Sequence, residues 1–201
     1  PVSITLYRIS AILKEKKIPG IVGGDHSTPF GALRAVAEAH PGLGVLHVDA
    51  HADLRHAYEG FTWSHASIMY NVMTRLPGVA RLVQVGIRDF CEEEFDDITA
   101  PNGRIVTHFD ASLARERMGG VTWKAQVDRI VAGLPKDVYV SFDIDGLDPV
   151  LCPNTGTPVA GGLQFHEAVE LVAAVARSGR RIVGLDLNEV GGVVIDPQQG
   201  D

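Results

Sequence analysis

Short Val- and Ile-rich runs alternate with longer amphipathic segments along most of the 201 residues, and this alternation narrows the fold more than any other feature. IPGIVGG (18–24), GVLHVD (44–49), RLVQVGI (81–87), GRIVTHF (103–109), DVYVSFD (137–143) and RIVGLDL (181–187) read as strands. Several are nearly continuous apolar runs, as in strands covered on both faces. SITLYRISAILKEKK (3–17), TPFGALRAVAEAH (28–40), HASIMYNVMTRL (65–76), VTWKAQVDRIVAGL (121–134) and QFHEAVELVAAVARSG (164–179) read as helices. In the last, Phe165, Val169, Val172, Val175 and Ala176 approximate one apolar face, and Gly179 suits its C-terminal cap. Such alternation predicts an α/β domain with a mainly parallel sheet.

Residues 1–201 are expected to form a single domain, large enough to bury a sizeable core. The chain opens on a helical pattern with no strand before it and ends in the turn-like DPQQGD, so the domain is expected to be incomplete at both ends. A net charge of −7 argues against nucleic-acid or anionic-membrane partners and suits a cationic ligand. No apolar run is long enough for a membrane span, and PVSITLYRIS lacks the features of a signal peptide. The two cysteines, Cys91 and Cys152, give neither a disulfide framework nor a CxxC motif, and a cytoplasmic location is the default expectation.

In open parallel sheets, ligands bind at the carboxyl ends of the strands, and the chemistry-bearing residues fall there. Asp25 and His26 follow the first strand in GGDHS. In HVDAHADLR, Asp49, His51 and Asp53 stand at every second position, which puts all three side chains on one face of an extended segment. SFDIDGLDP supplies Asp143 and Asp145, and GLDLNEV places Glu189 beyond the last strand. His26, Asp49, His51, Asp53, Asp143 and Asp145 make a donor set of two imidazoles and four carboxylates. That is too many for one tetrahedral zinc with an open position. It suits two divalent ions roughly 3.5–4 Å apart sharing bridging carboxylates. Oxygen-rich ligation without thiolate favours Mn²⁺, with Fe²⁺, Co²⁺, Ni²⁺ or Zn²⁺ as alternatives.

GGDHS (23–27), DAHAD (49–53), SFDIDGLDP (141–149), TGTPVAGGL (155–163) and the Glu of GLDLNEV (184–190), in this order, resemble the ureohydrolases, the arginase and agmatinase family. The resemblance implies a three-layer α/β/α fold and a two-manganese centre. By it, one ion would be held by His26, Asp49, Asp53 and Asp143, and the other by His51, Asp49, Asp143 and Asp145, with Asp49 and Asp143 as bridges. A water between the ions would be acidified to hydroxide near neutral pH and attack a guanidinium carbon, giving urea and an amine. Asp53 would pass the proton to the leaving amine, His65 in WSHAS matches a proton-shuttling histidine, and Glu189 matches the carboxylate that grips the guanidinium. A trimer or hexamer is also implied.

Other polar residues read more plainly. Asp25 is expected to orient His26 or brace its turn, Asp148 to serve turn chemistry or support a neighbouring ligand, and His47 to be packed within its strand. His40, His56, His108, His166 and Cys152 carry no motif support. For the substrate, Cys91 stands after GIRD where arginases carry a second Asp, and Arg55 stands where they carry an Asn. Both departures argue against arginine and for agmatine, hydrolysed to putrescine. Guanidinobutyrase, arginase and formimidoylglutamase activities, or a non-catalytic metal-binding role, are the alternatives, the first because Arg55 has the charge to pair with a carboxylate.

Overall fold

The computed structural model describes residues 2–101 and 103–191. The elements run α1 (Val2–Lys14), β1 (Gly20–Val22), α2 (Phe30–Ala39), β2 (Leu43–Val48), α3 (Ile68–Arg75), β3 (Val79–Ile87), α4 (Glu92–Thr99), β4 (Ile105–Phe109), α5 (Asp110–Met118), α6 (Trp123–Ala132), β5 (Asp137–Asp143), α7 (Phe165–Arg177) and β6 (Arg181–Asn188). Short 3₁₀ turns at His65–Ser67 and Ile144–Gly146 precede α3 and follow β5. All strand pairs are parallel, in one six-stranded sheet of order β1-β6-β5-β2-β3-β4. The final DPQQGD lies outside the described residues.

Alternate strand residues point to opposite faces, and each face meets its own helices. Val45, Leu82 and Tyr139 pack with Ile9 of α1, Leu33 and Val36 of α2 and Met69 and Val72 of α3. Leu46, Val48, Val83, Val138 and Val140 pack with Leu113 of α5, Val127 and Ile130 of α6 and Leu171 and Val175 of α7. The expected three-layer α/β/α arrangement with a parallel sheet is therefore the observed one. β2 is buried along its whole length, which accounts for its unbroken apolar sequence.

Two helices were not evident in the sequence. α4 (EEEFDDIT) buries only Glu94 and α5 (DASLARERM) buries only Leu113, so neither has the apolar stripe by which helices are read. The inward face of α7 also differs from the expected one. Ala168, Leu171 and Val175 are its buried residues, whereas Phe165 is 57% exposed and Val169 is 49% exposed. The small Ala168 lets the helix approach the sheet, and the three follow the i, i+3, i+7 spacing. Gly179, just beyond that helix, has φ +82°, the left-handed conformation expected after a helix end.

The strand order places the site. From β2 the chain moves outward through β3 and β4, then returns to the other side of β2 to lay down β5 and β6. The order thus reverses between β2 and β5, where open α/β sheets bind their ligands. The DAHAD and DIDG segments leave these two adjacent strands.

Candidate metal centre

Asp49 follows β2 and is fully buried, and the side chains expected at every second position converge around it. His26 Nδ1 lies 3.1 Å from Asp49 Oδ2, 3.1 Å from Asp53 Oδ2 and 3.3 Å from Asp143 Oδ2. His51 Nδ1 lies 3.4 Å from Asp49 Oδ1 and 3.1 Å from Asp145 Oδ2. The six sequence-predicted ligands thus form two adjoining donor groups, and Asp49 presents one carboxylate oxygen to each. Asp143 turns Oδ2 toward His26, while its Oδ1 accepts the Asp145 amide at 2.9 Å.

Backbone geometry fixes this convergence. Asp53 and Glu189 both have positive φ, +55° and +58°, an uncommon region for residues other than glycine and one often found at functional sites. Ala50 N donates to Asp145 Oδ1 at 3.1 Å, tying the two acidic segments together. Thr157 Oγ1 donates to Asp145 Oδ2 at 3.0 Å. Arg88 gathers the surrounding turns, donating from its guanidinium to the carbonyls of Gly86, Asp145, Leu147 and Val159. Gly162 lies against the same turn with φ +100°, where a Cβ would stand 2.7 Å from the Leu147 carbonyl.

The electrostatics call for a cation. Burial opposes a charge on His26, yet Asp143, Asp49 and Asp53 hold its pKa well above the usual histidine range. Burial likewise opposes charge on His51, but Asp145 and Asp49 push it up to about 11. Burial and the charge of Asp49 raise Asp143 to about 8 and raise Asp53 as well. The cluster therefore holds more negative charge than its histidines neutralise without taking up protons. His26 Nδ1 is buried 3.1–3.3 Å from three carboxylate oxygens but aligned for a hydrogen bond to none of them, the arrangement of a ligand nitrogen facing a cation. The donor set fits divalent metal, with Asp49, His51 and Asp145 forming one group and His26, Asp49 and Asp53 falling within a second.

Several contributors were not evident in the sequence. Behind His26, Nε2 meets Ser141 Oγ at 2.9 Å, and that hydroxyl donates to the buried Asp186 at 2.9 Å. The only signal was polar residues inside strands. His47 is packed as expected, but its Nε2 also contacts Asp49 Oδ2 at 2.8 Å. Glu94, on α4, accepts the amides of Leu54 and Cys91 and so joins the DAHAD segment to the loop after β3.

A cavity of about 150 Å³ opens beside the carboxylates, lined by His51, Asp53, Arg55, Tyr58, His65, Ala66, Asp89, Glu94 and Thr157. His65 is 40% exposed, with Nδ1 3.7 Å from Asp25 Oδ2. Asp25 itself braces its turn by accepting Ser27 N at 2.8 Å. Asp148 does the same for Val150 N at 3.0 Å. Arg55 Nε stands 3.8 Å from Glu94 Oε2, and its guanidinium lies 5.5 Å from the centre of the Tyr58 ring. Glu189 is not in this cavity wall. It sits on the His26 side, where its Oε1 accepts the His26 amide at 2.8 Å. A larger surface cleft of about 630 Å³, between Phe30, Trp63 and Pro77, includes none of the acidic cluster.

A sequence profile of the arginase family matches residues 6–197. The chain belongs to the arginase family. An N(1)-aminopropylagmatine ureohydrolase of Thermus thermophilus is 40% identical over 171 residues, covering 84% of this chain and 53% of that protein. An agmatinase of Halalkalibacterium halodurans is 34% identical over 182 residues, covering 90% of this chain and 58% of that one. Among solved structures, an arginase from Bacillus cereus superposes with a TM-score of 0.80 at 29% identity, covering 94% of this chain and 68% of its own. This arginase-family chain spans about half the length of the curated relatives it matches. Among the described residues no helix is long and apolar enough to cross a membrane.

Proposed function

We propose that this chain carries the catalytic centre of a binuclear metal hydrolase that converts a linear guanidino compound, agmatine first, to urea and an amine. The observation that carries the reading is the pair of donor groups sharing Asp49, with the buried Nδ1 of His26 facing three carboxylates. His26, Asp49, Asp53 and Asp143 would hold one ion, and His51, Asp145 and the same Asp49 and Asp143 the other. Mn²⁺ is the favoured ion for this oxygen-rich set. When bound, the ions neutralise the carboxylates and acidify a water into a nucleophile near neutral pH.

The chain's own residues then supply positioning and proton transfer. Hydrolysis adds the water oxygen to the guanidinium carbon and breaks the bond to the alkyl-bearing nitrogen, which leaves as the amine with an added proton. Asp53, in the cavity wall, would hold that proton and deliver it to the departing nitrogen. His65, half open to solvent in the same wall, carries protons between cavity and bulk. Glu189, outside the cavity wall, holds the His26 amide with Oε1 and would offer Oε2 to the guanidinium.

Substrate choice follows from charge. The cavity wall carries the acidic Asp89 and Glu94, and Arg55 Nε stands 3.8 Å from Glu94 Oε2. Agmatine, which has an ammonium and no carboxylate, suits this wall better than arginine or 4-guanidinobutyrate. The name of the Thermus thermophilus relative adds an N-aminopropyl agmatine as a second candidate. A cytoplasmic trimer or hexamer completes the proposal, and light scattering of the purified protein tests the assembly.

The deciding experiment is urea release by manganese-loaded protein from agmatine, aminopropylagmatine, 4-guanidinobutyrate and arginine, with a chelated control. Metal-dependent urea from the first two is the expected result. Stoichiometric metal binding with no urea from any of the four would instead leave a metal-binding, non-catalytic chain. Asp49→Ala is expected to lower the content of both metals, and unchanged metal content would remove its bridging role.

A further inference from the structure

Behind the metal-facing carboxylates lies a buried hydrogen-bond chain that the reaction outlined above does not use. Asp49 Oδ2 meets His47 Nε2 at 2.8 Å, and His47 Nδ1 meets the Gln84 side-chain nitrogen at 3.1 Å. The same Gln84 nitrogen donates to the Ala52 carbonyl at 2.7 Å, and Gln84 Oε1 accepts from Thr107 Oγ1 at 2.8 Å. His47, Asp49 and Gln84 are all fully buried. The chain crosses three neighbouring strands, because His47 pairs with Gln84 and Gln84 with Thr107 in the sheet register.

The donor and acceptor roles in this chain are determined. A carbonyl only accepts, so the Gln84 atom facing Ala52 is its NH₂ group, and the second hydrogen of that group points to His47 Nδ1. Nδ1 is thereby an acceptor, which places the ring proton on Nε2, facing Asp49. A protonated Nε2 has no lone pair for a metal. His47 is therefore distinct in role from His26, although both lie among the same carboxylates.

We infer that His47 and Gln84 are positioning residues for the metal centre: Gln84 fixes the His47 tautomer, and His47 holds the shared ligand Asp49 in its bridging orientation. Gln84 also pins Ala52, which lies between His51 and Asp53, so one amide sets two parts of the donor set. This inference rests on the binuclear reading above. Supporting partners of this kind typically affect metal affinity by ~10–100-fold.

The test is Mn²⁺ affinity of the full chain, measured by chelator competition, for wild type, His47→Phe, His47→Gln and Gln84→Met. His47→Phe keeps a ring in the space but removes the donor, and ~10–100-fold weaker binding is expected. His47→Gln returns an N–H to Asp49 and is expected to bind more tightly than His47→Phe. A role in packing alone would give the opposite order, since phenylalanine preserves the shape. Gln84→Met touches no ligand side chain and is expected to weaken binding ~10-fold. It also decides the matter if His47→Phe does not fold. In long-range ¹H–¹⁵N spectra, His47 is expected to carry its proton on Nε2. Wild-type affinity in Gln84→Met, or a proton on Nδ1, overturns the inference. A wild-type chain that binds no Mn²⁺ overturns the binuclear reading itself, a result distinguishable from either.

Discussion

Arg88 offers a severe test of how the site is held, because one side chain supports turns distant in sequence. Its Nε and Nη2 reach the Val159 carbonyl at 3.2 and 2.9 Å, Nη1 reaches Gly86 at 3.1 Å, and Nη2 also reaches Asp145 at 2.8 Å and Leu147 at 3.2 Å. Hydrogen bonds to a charged group contribute ~1.5–3 kcal/mol each. Here Nη2 is shared among three carbonyls and the side chain is only half-buried, so water recovers part of the loss. Arg88→Met, which keeps the aliphatic stem, is expected to lower stability by ~3–4 kcal/mol. For a chain of this size that corresponds to a Tm about 10 °C lower. Arg88→Lys should fall between, since an ammonium cannot span the same carbonyls. Thermal unfolding followed by circular dichroism, in chelator so that metal does not mask the difference, measures it. A loss below about 1 kcal/mol would show that the turn carrying Asp145 stands without the arginine, and the argument would fail.

Gly162→Ala should destabilise by at least ~2 kcal/mol and weaken Mn²⁺ binding together, because its Cβ would meet the Leu147 carbonyl beside the Asp145 turn; normal binding in a destabilised variant would separate the two effects. His108, lowered to about 4 by burial and by the charge of Arg129, stays neutral in the fold while the unfolded chain takes up a proton below its ordinary 6.5. The stabilisation is thus complete above pH 6.5 and lost as pH falls toward 4, by ~1–2 kcal/mol after allowance for partial exposure. His108→Gln should lose that much less than wild type between pH 7 and 4.5, and parallel stability curves would refute it. His65→Ala should keep its metal and lose ~10²-fold in turnover, with partial recovery in added imidazole; full activity would exclude the shuttle.

The sequence was most informative where a pattern is local. Six strands could be read from continuous apolar runs, and Asp49, His51 and Asp53 from alternation within a single segment. α4 and α5 escaped because their burial rests on one residue each, Glu94 and Leu113. The supports of the site escaped for a different reason. His26 meets Ser141 across 115 positions, and Gln84 meets His47 across 37. Ser141 and Gln84 are ordinary polar residues with no local pattern, and only the sheet brings them to their partners. His47 shows the limit most clearly, since a histidine in an apolar strand reads as core until the carboxylate facing it is known.

The position of β1 has a consequence for the order in which the molecule is made. Among the described residues, β1 lies at the sheet edge and pairs only with β6. His26, carried just beyond β1, therefore has no fixed place until the ribosome has delivered residues 181–188. Asp143 and Asp145, in turn, reach DAHAD only through β5, whose first residue follows Val48 by nearly ninety positions. Pairing of β1 with β6 is the event that seats His26 beside the carboxylates, so metal capture by that group should report this pairing rather than guide it.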